Sequence, residues 1–138
     1  MPAARPSKRV STPLPGRSVR GSSSGRPIMA LLDLLGRRWV QRIIWELRGE
    51  ALSFRGLRAA CDEVSPSVLN ARLTDLRTAG LVESTEDGYQ LTADGRSLLT
   101  IMLPLHEWAE RWARHVSAET GTAGRKTGTR ARPSRSTR

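Results

Sequence analysis

Apolar residues recur every three or four positions in five segments of the chain, which predicts five α-helices. The segments are 28–35, 39–47, 53–61, 65–79 and 92–116. Gly36, Gly49 and Gly80 follow three of these segments at positions where glycine commonly ends a helix. The pattern therefore predicts a mainly helical chain.

The fourth segment has clear boundaries and an unusual outer face. Ser65 can cap its N-terminus, and Pro66 suits the first helical position because its missing N–H would be unpaired there. One narrow apolar stripe consists of Leu69, Leu73 and Leu76. The opposite face is small and polar, with Ser67, Asn70, Ala71, Thr74 and Thr78. Small hydrogen-bonding side chains suit a helix that enters the DNA major groove, although an ordinary amphipathic surface helix is the alternative.

A short link precedes this segment and a hairpin signal follows it. Residues 62–64 alone separate it from the third segment, so the two helices match a helix-turn-helix. Asp87-Gly88 then lies between two runs of partly alternating apolarity, 81–85 and 89–91, which predicts a β-hairpin. The predicted fold is mainly α with a small β-hairpin, a winged helix-turn-helix.

The last helical segment carries more apolar surface than a domain of this size needs for its own core. Exposed apolar patches mark interfaces, and most soluble oligomers are symmetric dimers, so we predict a homodimer with terminal dimerisation helices. Packing of Trp108 and Trp112, two tryptophans one turn apart on this helix, inside the monomer is the alternative. Pro104 predicts a kink in this helix. The expected dimer contacts are Ile28, Leu31, Leu32, Ile101, Leu105, Trp108, Trp112 and His115.

The net charge of +10 sits at the two ends of the chain. Residues 1–26 hold six basic residues and no acidic one, and residues 117–138 hold six basic residues and one acidic one. Because both ends are nearly devoid of apolar residues, we predict disordered basic tails at 1–26 and 117–138 around a domain at 27–116. Arginine-rich tails favour a double-stranded DNA partner over a membrane, with a purely solubilising role as the alternative.

Several classes of protein lack support in the sequence. Cys61 is the one cysteine, which rules out an intramolecular disulfide, and its helical position predicts a buried thiol rather than a redox switch. His106 and His115 face nearly opposite ways on one helix, so they cannot share a metal. We find no catalytic motif and predict no enzyme, no metal and no cofactor. No apolar run has membrane-span or signal-peptide character, so we expect a cytoplasmic, nucleoid-associated protein.

Four stretches in order, 31–47, 53–82, 88–99 and 105–112, resemble the HxlR-type family of bacterial winged-helix transcription regulators. The resemblance spans about residues 26–116. It implies a homodimer that binds an inverted-repeat operator, with dimer contacts made by the terminal helices. Arg26 stands where thiol-sensing members tend to carry a cysteine, so redox sensing is unsupported.

The wing also departs from the family. It is short and carries Glu83, Glu86 and Asp87, which DNA phosphates would repel. We therefore expect a structural wing, with the basic ends supplying the backbone attraction that the wing lacks. Pockets between dimer helices bind small molecules in some such regulators, but no residue here identifies an effector.

Base readers and phosphate binders can be assigned on this basis. We expect Ser67, Asn70 and Thr74 to read base edges and Ala71 to pack on a thymine methyl. Arg72 and Arg77 flank that face, and the phosphate candidates are Ser53, Arg55 and Arg58. The alternative for each arginine is a solvated position or an ion pair with Asp62, Glu63 or Asp75.

The predicted function is a sequence-specific transcriptional regulator acting as a homodimer on an inverted repeat. Two rivals remain open. One is an architectural binder whose basic tails coat DNA regardless of sequence. The other is a protein-interaction winged helix, which the acidic wing favours.

Overall fold

The computed structural model describes residues 11–125 of the chain, and their side chains through residue 121. The elements along this part are α1 (Pro27–Leu35), α2 (Val40–Glu46), α3 (Phe54–Ala60), α4 (Pro66–Thr78), β1 (Val82–Thr85), β2 (Gly88–Leu91) and α5 (Ala93–Arg125). The order confirms the predicted fold, in which two short helices and a helix-turn-helix precede one hairpin and one long helix.

Three helices begin where the sequence places a hydroxyl cap. Ser53 Oγ accepts from the backbone N–H of Gly56 at 3.0 Å, and Ser65 Oγ accepts from that of Val68 at 3.3 Å. Thr92 Oγ1 accepts from the N–H of Gly95 at 3.1 Å at the start of α5. Each cap satisfies an N–H that has no partner within its helix. These caps fix the starting points of α3, α4 and α5.

The end of α4 is a Schellman turn that directs the chain into the hairpin. Gly80 has a φ of +75°, a left-handed conformation that glycine adopts without steric cost. The Leu81 N–H donates to the Leu76 carbonyl at 2.9 Å, and the Gly80 N–H donates to the Arg77 carbonyl at 3.0 Å. This pair of bonds satisfies two carbonyls at the helix end, as the motif requires. The wing therefore follows α4 directly.

The hairpin is antiparallel and is pinned to the start of α3. Val82 pairs with Leu91 and Thr85 with Gly88, so Glu86 and Asp87 alone form its loop. Leu52, just before α3, exchanges two backbone hydrogen bonds with Tyr89, at 3.0 and 2.8 Å. Gly88 has a φ of +118°, and a Cβ there would collide with the Leu52 carbonyl. Glycine is thus required where the wing meets the helix-turn-helix.

The core is built from one face of each short helix. Its largest fully buried side chains come from α2, α3, α4, the residues that end α2 and α3, and the second strand: Val40, Ile43, Ile44, Leu47, Leu57, Cys61, Leu69, Leu76 and Leu91. The predicted stripe on α4 is confirmed, because Leu69, Leu73 and Leu76 are each at most 2% exposed. Burying this stripe turns the opposite, polar face of α4 outward.

Residues 11–26 differ from the disordered tail that their composition predicts. They form turns in which the Gly16 N–H donates to the Gly25 carbonyl at 2.9 Å and Val19 pairs with Ser22. The backbone N–H of Arg20 donates to Asp33 at 3.2 Å, which ties the segment to α1. Local turns and side-chain anchors hold this segment without an apolar core of its own. The remaining tail residues 1–10 and 126–138 lie outside the described residues.

The long helix α5 passes from one compact unit, which ends at Thr100, into a second that begins at Ile101. It continues to Arg125 rather than ending near Val116, so residues 117–125 are helical and not a disordered tail. Pro104 lies inside the helix, and the kink there stays a prediction.

In the second unit, Trp108 and Trp112 are 53% and 55% exposed. Their rings stack with centroids 6.1 Å apart, as residues one turn apart can. Despite this apolar surface, none of the helices between residues 11 and 125 is long and apolar enough to cross a membrane.

Candidate nucleic-acid interface

The outer face of α4 presents the side chains that the sequence assigns to base reading. Ser67, Asn70, Ala71 and Thr74 are all exposed. The Thr74 hydroxyl donates to the backbone carbonyl of Asn70 at 2.9 Å, within the helix. The side-chain amide of Asn70 has no hydrogen-bond partner within the described part of the chain, so both its donor and its acceptor remain available. This face can hydrogen-bond an external ligand without losing internal bonds of Asn70.

A cleft of about 710 Å³ runs beside this face. One wall is α4, and it brings together the four predicted base readers and Arg72. The other wall consists of Ser11 and Thr12 with Arg37 and Arg38, two arginines in the turn between α1 and α2. The sequence predicts no ligand contact at this second wall. Apolar periodicity carries no information about it, because none of its members belongs to a core stripe.

Asp75 holds the two walls together. Its Oδ2 accepts from Arg37 Nη1 at 3.0 Å and from Arg72 Nη1 at 2.9 Å, and its Oδ1 accepts from Thr12 Oγ1 at 2.7 Å. The carboxylate is 9% exposed, and the side chains of Arg37 and Arg72 are 13% and 24% exposed. Burying a carboxylate costs free energy unless it is paired and hydrogen-bonded, and these three partners provide that pairing. We call this group, Thr12, Arg37, Arg72 and Asp75, the Asp75 cluster.

Membership of this cluster changes the interpretation of Arg72. The sequence left an ion pair with Asp75 as the alternative to a DNA contact, and the structure contains that ion pair. The Nε of Arg72 is buried without a hydrogen-bond partner among the described residues. Arg72 thus stabilises the cleft through Nη1, and its contact with DNA stays a prediction.

Arg58 also has a structural partner. Its Nε donates to the Val64 carbonyl at 2.8 Å, and its Nη1 lies 3.5 Å from Glu63 Oε2. These bonds brace the turn between α3 and α4, where Asp62 and Glu63 both have positive φ angles. Arg58 therefore helps set the position of α4, as the ion-pair alternative anticipated.

Arg55, a predicted phosphate contact, and Arg77, a predicted flanking residue, make no ion pair with the described residues. Both are exposed, and neither has a carboxylate within 4.0 Å in the described part of the chain. Ser53, the third phosphate candidate near α3, is exposed but uses its hydroxyl oxygen to cap that helix. Its O–H remains free to donate outward.

The wing tip is acidic, as the sequence indicates. Glu86 and Asp87 form the exposed loop, and Glu83 accepts from Gln90 Nε2 at 2.7 Å across the two strands. Carboxylates at the tip would be repelled by DNA phosphates. The structural role expected for the wing fits its backbone pairing with Leu52.

Cys61 ends α3 and is fully buried in the core. Burial raises the pKa of its thiol, and the nearby charge of Arg42 offsets this in part. The thiol is therefore held in its protonated, unreactive form at neutral pH. Among the described residues, no group of three His, Cys, Asp or Glu side chains is placed to hold a metal ion.

Alkylation of Cys61 tests this environment. We expect iodoacetamide at pH 7.5 to modify the folded chain at least about 100-fold more slowly than the chain in urea, because reaction requires local opening. Equal alkylation rates in the two states would contradict the assignment.

The raised pKa of the Cys61 thiol also predicts a pH effect. The folded state keeps its thiol proton to higher pH than the unfolded state, so the free energy of unfolding falls as the pH rises above the ordinary thiol pKa of 9.0. The free energy of unfolding of Cys61→Val should lack this pH dependence.

Comparison with known proteins places these features in a wider context. The model of the HxlR-like helix-turn-helix family matches residues 34–117. The chain is 31% identical over 88 residues to the HTH-type transcriptional regulator YvaP of Bacillus subtilis, covering 59% of this chain and 82% of YvaP. The family match includes α2, α3, α4 and the hairpin.

Two solved structures share the fold. The crystal structure of quinone-bound YodB from B. subtilis aligns with a TM-score of 0.58 and 27% identity, over 61% of this chain and 96% of YodB. A possible HxlR family transcriptional factor from Thermoplasma volcanium aligns with a TM-score of 0.54 and 28% identity, over 61% of this chain and 82% of that protein.

Proposed function

Because the chain belongs to the HxlR family of helix-turn-helix transcriptional regulators, we propose that it binds an inverted-repeat operator sequence-specifically as a homodimer. The observation that carries this proposal is the exposed polar face of α4, whose side chains lie together along one cleft. In this proposal α4 enters the major groove, and the protein works in the cytoplasm on the nucleoid.

Base reading would fall to the side chains at the centre of that face. Asn70 can pair bidentately with the N6 and N7 edge of adenine, since its side-chain amide has no partner among residues 11–125. Ser67 can donate to or accept from either base, and Ala71 can pack on a thymine methyl. Thr74 can accept from a base, because its hydroxyl proton is donated to the Asn70 backbone carbonyl. Arg55 and Arg77 would contact phosphates and set the register.

The homodimer is supported by the apolar stripe of α5 in the second unit. Ile101, Leu105, Trp108, Trp112 and Val116 are 45–69% exposed and recur every three or four residues. This stripe covers roughly 22 Å of helix at 1.5 Å per residue. A second copy of the stripe would bury it symmetrically, and the exposed Ile28 and Leu32 of α1, with the half-buried Leu31 and the exposed His115, would add to the contact.

The first experiment identifies the operator. Genome-wide footprinting with the tagged full-length chain should yield a palindromic site with half-sites about one helical turn apart. Competition at physiological salt should then favour that site over random DNA by about 10³ or more. A ratio near one would instead support the architectural binder, which the concentration of basic residues at the chain ends favours.

Asn70→Ala tests the reading face directly. Loss of a bidentate contact should weaken operator binding by about 1–3 kcal/mol, whereas binding to random DNA should hardly change. Gln41→Ala is the matched control, because Gln41 is an exposed amide on α2 outside the cleft. Equal losses on operator and random DNA would remove Asn70 from the base readers.

A further inference from the structure

The second wall of the cleft contains a strained turn. Trp39, which precedes α2, has a φ of 76° and a ψ of −12°, a left-handed conformation that a bulky side chain rarely adopts. The turn is closed by the Val40 N–H, which donates to the Arg37 carbonyl at 3.2 Å. Strain of this kind is retained where a fixed geometry serves a function. Here the geometry places two consecutive arginines at one cleft.

These two arginines have different partners. Arg37 is committed to the protein: Nη1 donates to Asp75, and Nη2 donates to the Ser11 carbonyl at 2.6 Å. Arg38 is exposed, and no carboxylate lies within 4.0 Å of it in the described part of the chain. Its guanidinium lies over the Trp39 ring, 5.9 Å from the centroid. This cation–π contact restrains the guanidinium and leaves its N–H edges free to donate.

The charge balance of the cleft also singles out Arg38. Its lining holds three arginines and one aspartate. Arg37 and Arg72 both pair with Asp75, so these three residues leave one excess positive charge, deep in the cluster. Arg38 adds the accessible positive charge on the wall opposite the base-reading face of α4. Under the proposed function, a cation in this position faces the DNA whose groove α4 enters.

We propose that Arg38 binds a phosphate of the DNA backbone at the edge of the groove that α4 enters, and that the turn between α1 and α2 is a second DNA-contacting element. The inference rests on the proposed function, because it takes α4 as the groove-reading helix. An arginine edge matches two phosphate oxygens, and the cation–π contact with Trp39 limits the further ordering that such a match requires. Arg37 is a positioning residue in this arrangement, since it ties the turn to Asp75 and to Ser11.

Arg38→Ala and Arg48→Ala in the full chain form the test pair. Arg48, just after α2, is also an exposed arginine over a tryptophan, 4.2 Å from the centroid of Trp45 in α2, but it lies outside the cleft. Binding to operator and to random duplex is measured by fluorescence anisotropy over a range of salt. For Arg38→Ala we expect weaker binding to both and a log–log salt slope shallower by about 1.8 for two lost phosphate contacts in a dimer. Arg48→Ala should keep the slope of the natural sequence.

The outcomes separate this inference from the proposed function. An Arg38→Ala slope equal to that of Arg48→Ala overturns the phosphate contact, and a loss confined to the operator overturns it in favour of base reading. Arg38→Lys, which keeps the charge, should restore most of the slope. If the natural chain fails to discriminate any operator, the proposed function fails, whereas the slopes on random DNA still decide the role of Arg38.

Discussion

Asp75→Ala should lower the free energy of unfolding by about 3 kcal/mol, because it leaves buried positive charge without a partner. Asp75 is the shared acceptor for Thr12, Arg37 and Arg72, and its carboxylate is 9% exposed. This loss of stability comes from leaving Arg37 and Arg72 buried without a carboxylate. It does not measure the net stabilisation by the ion pairs, because removing all the charges of such a cluster together can be nearly neutral. Urea unfolding followed by tryptophan fluorescence should show a lower midpoint at an unchanged m-value.

Asp62→Asn is the control for this prediction, because it removes the charge and asparagine tolerates the positive φ of this position. Asp62 also pairs with an arginine, Arg42, but at 3.6 Å and with 73% of its side chain exposed. Exposed pairs contribute little, so its unfolding free energy should change by at most about 0.5 kcal/mol. If the two variants have the same midpoint, the Asp75 cluster does not stabilise the fold.

The helix-turn-helix could be predicted from the sequence because its signals are local. Ser53, Ser65 and Thr92 each bond to an N–H three residues ahead, so a cap can be recognised without knowledge of the fold. The exposed face of α4 followed equally directly from the spacing of its three leucines. Local rules therefore gave both the elements and one wall of the cleft.

The second wall depends on contacts between residues far apart in sequence. Thr12 and Arg37 contact Asp75 across 63 and 38 positions of the sequence. Contacts between residues so far apart in sequence cannot be recognised from composition or periodicity. The Thr12 contact, together with local turns and the bond from Arg20 to Asp33, also anchors residues 11–26, whose Ser, Gly and Arg content resembles a disordered tail. The end of α5 was missed for a different reason: apolar periodicity stops at Val116, but a helix needs backbone hydrogen bonds rather than an apolar face to continue.

The two walls also suggest how a short acidic wing is compatible with DNA binding. In many winged helices the wing reaches the backbone, but here its loop carries Glu86 and Asp87. Positive charge is instead available at Arg38, Arg55 and Arg77, which belong to the helical part of the domain. Under the proposed function, backbone attraction comes from these arginines and the basic chain ends, and the wing serves to brace α3 through Leu52.

Trp108→Ala with Trp112→Ala should convert the proposed homodimer into a monomer. The two rings are 53% and 55% exposed in the single chain, so each offers on the order of 100 Å² of apolar surface, worth about 2–3 kcal/mol when buried. Four such rings in a symmetric dimer supply a large share of the association free energy. Sedimentation analysis of the full chain should show the mass of a dimer for the natural sequence and of a monomer for the double variant.

Trp45→Ala provides the matched control, because Trp45 is 39% exposed but lies on α2, outside the proposed interface. It should leave the sedimenting mass unchanged, and circular dichroism of the double variant should show that α5 remains helical. Loss of the dimer should weaken operator binding by about 100-fold or more, since a monomer engages one half-site, while binding to random DNA falls far less. A natural chain that sediments as a monomer, or a double variant that still sediments as a dimer, would contradict this interface. The first result would also require a single α4 to provide all the operator specificity.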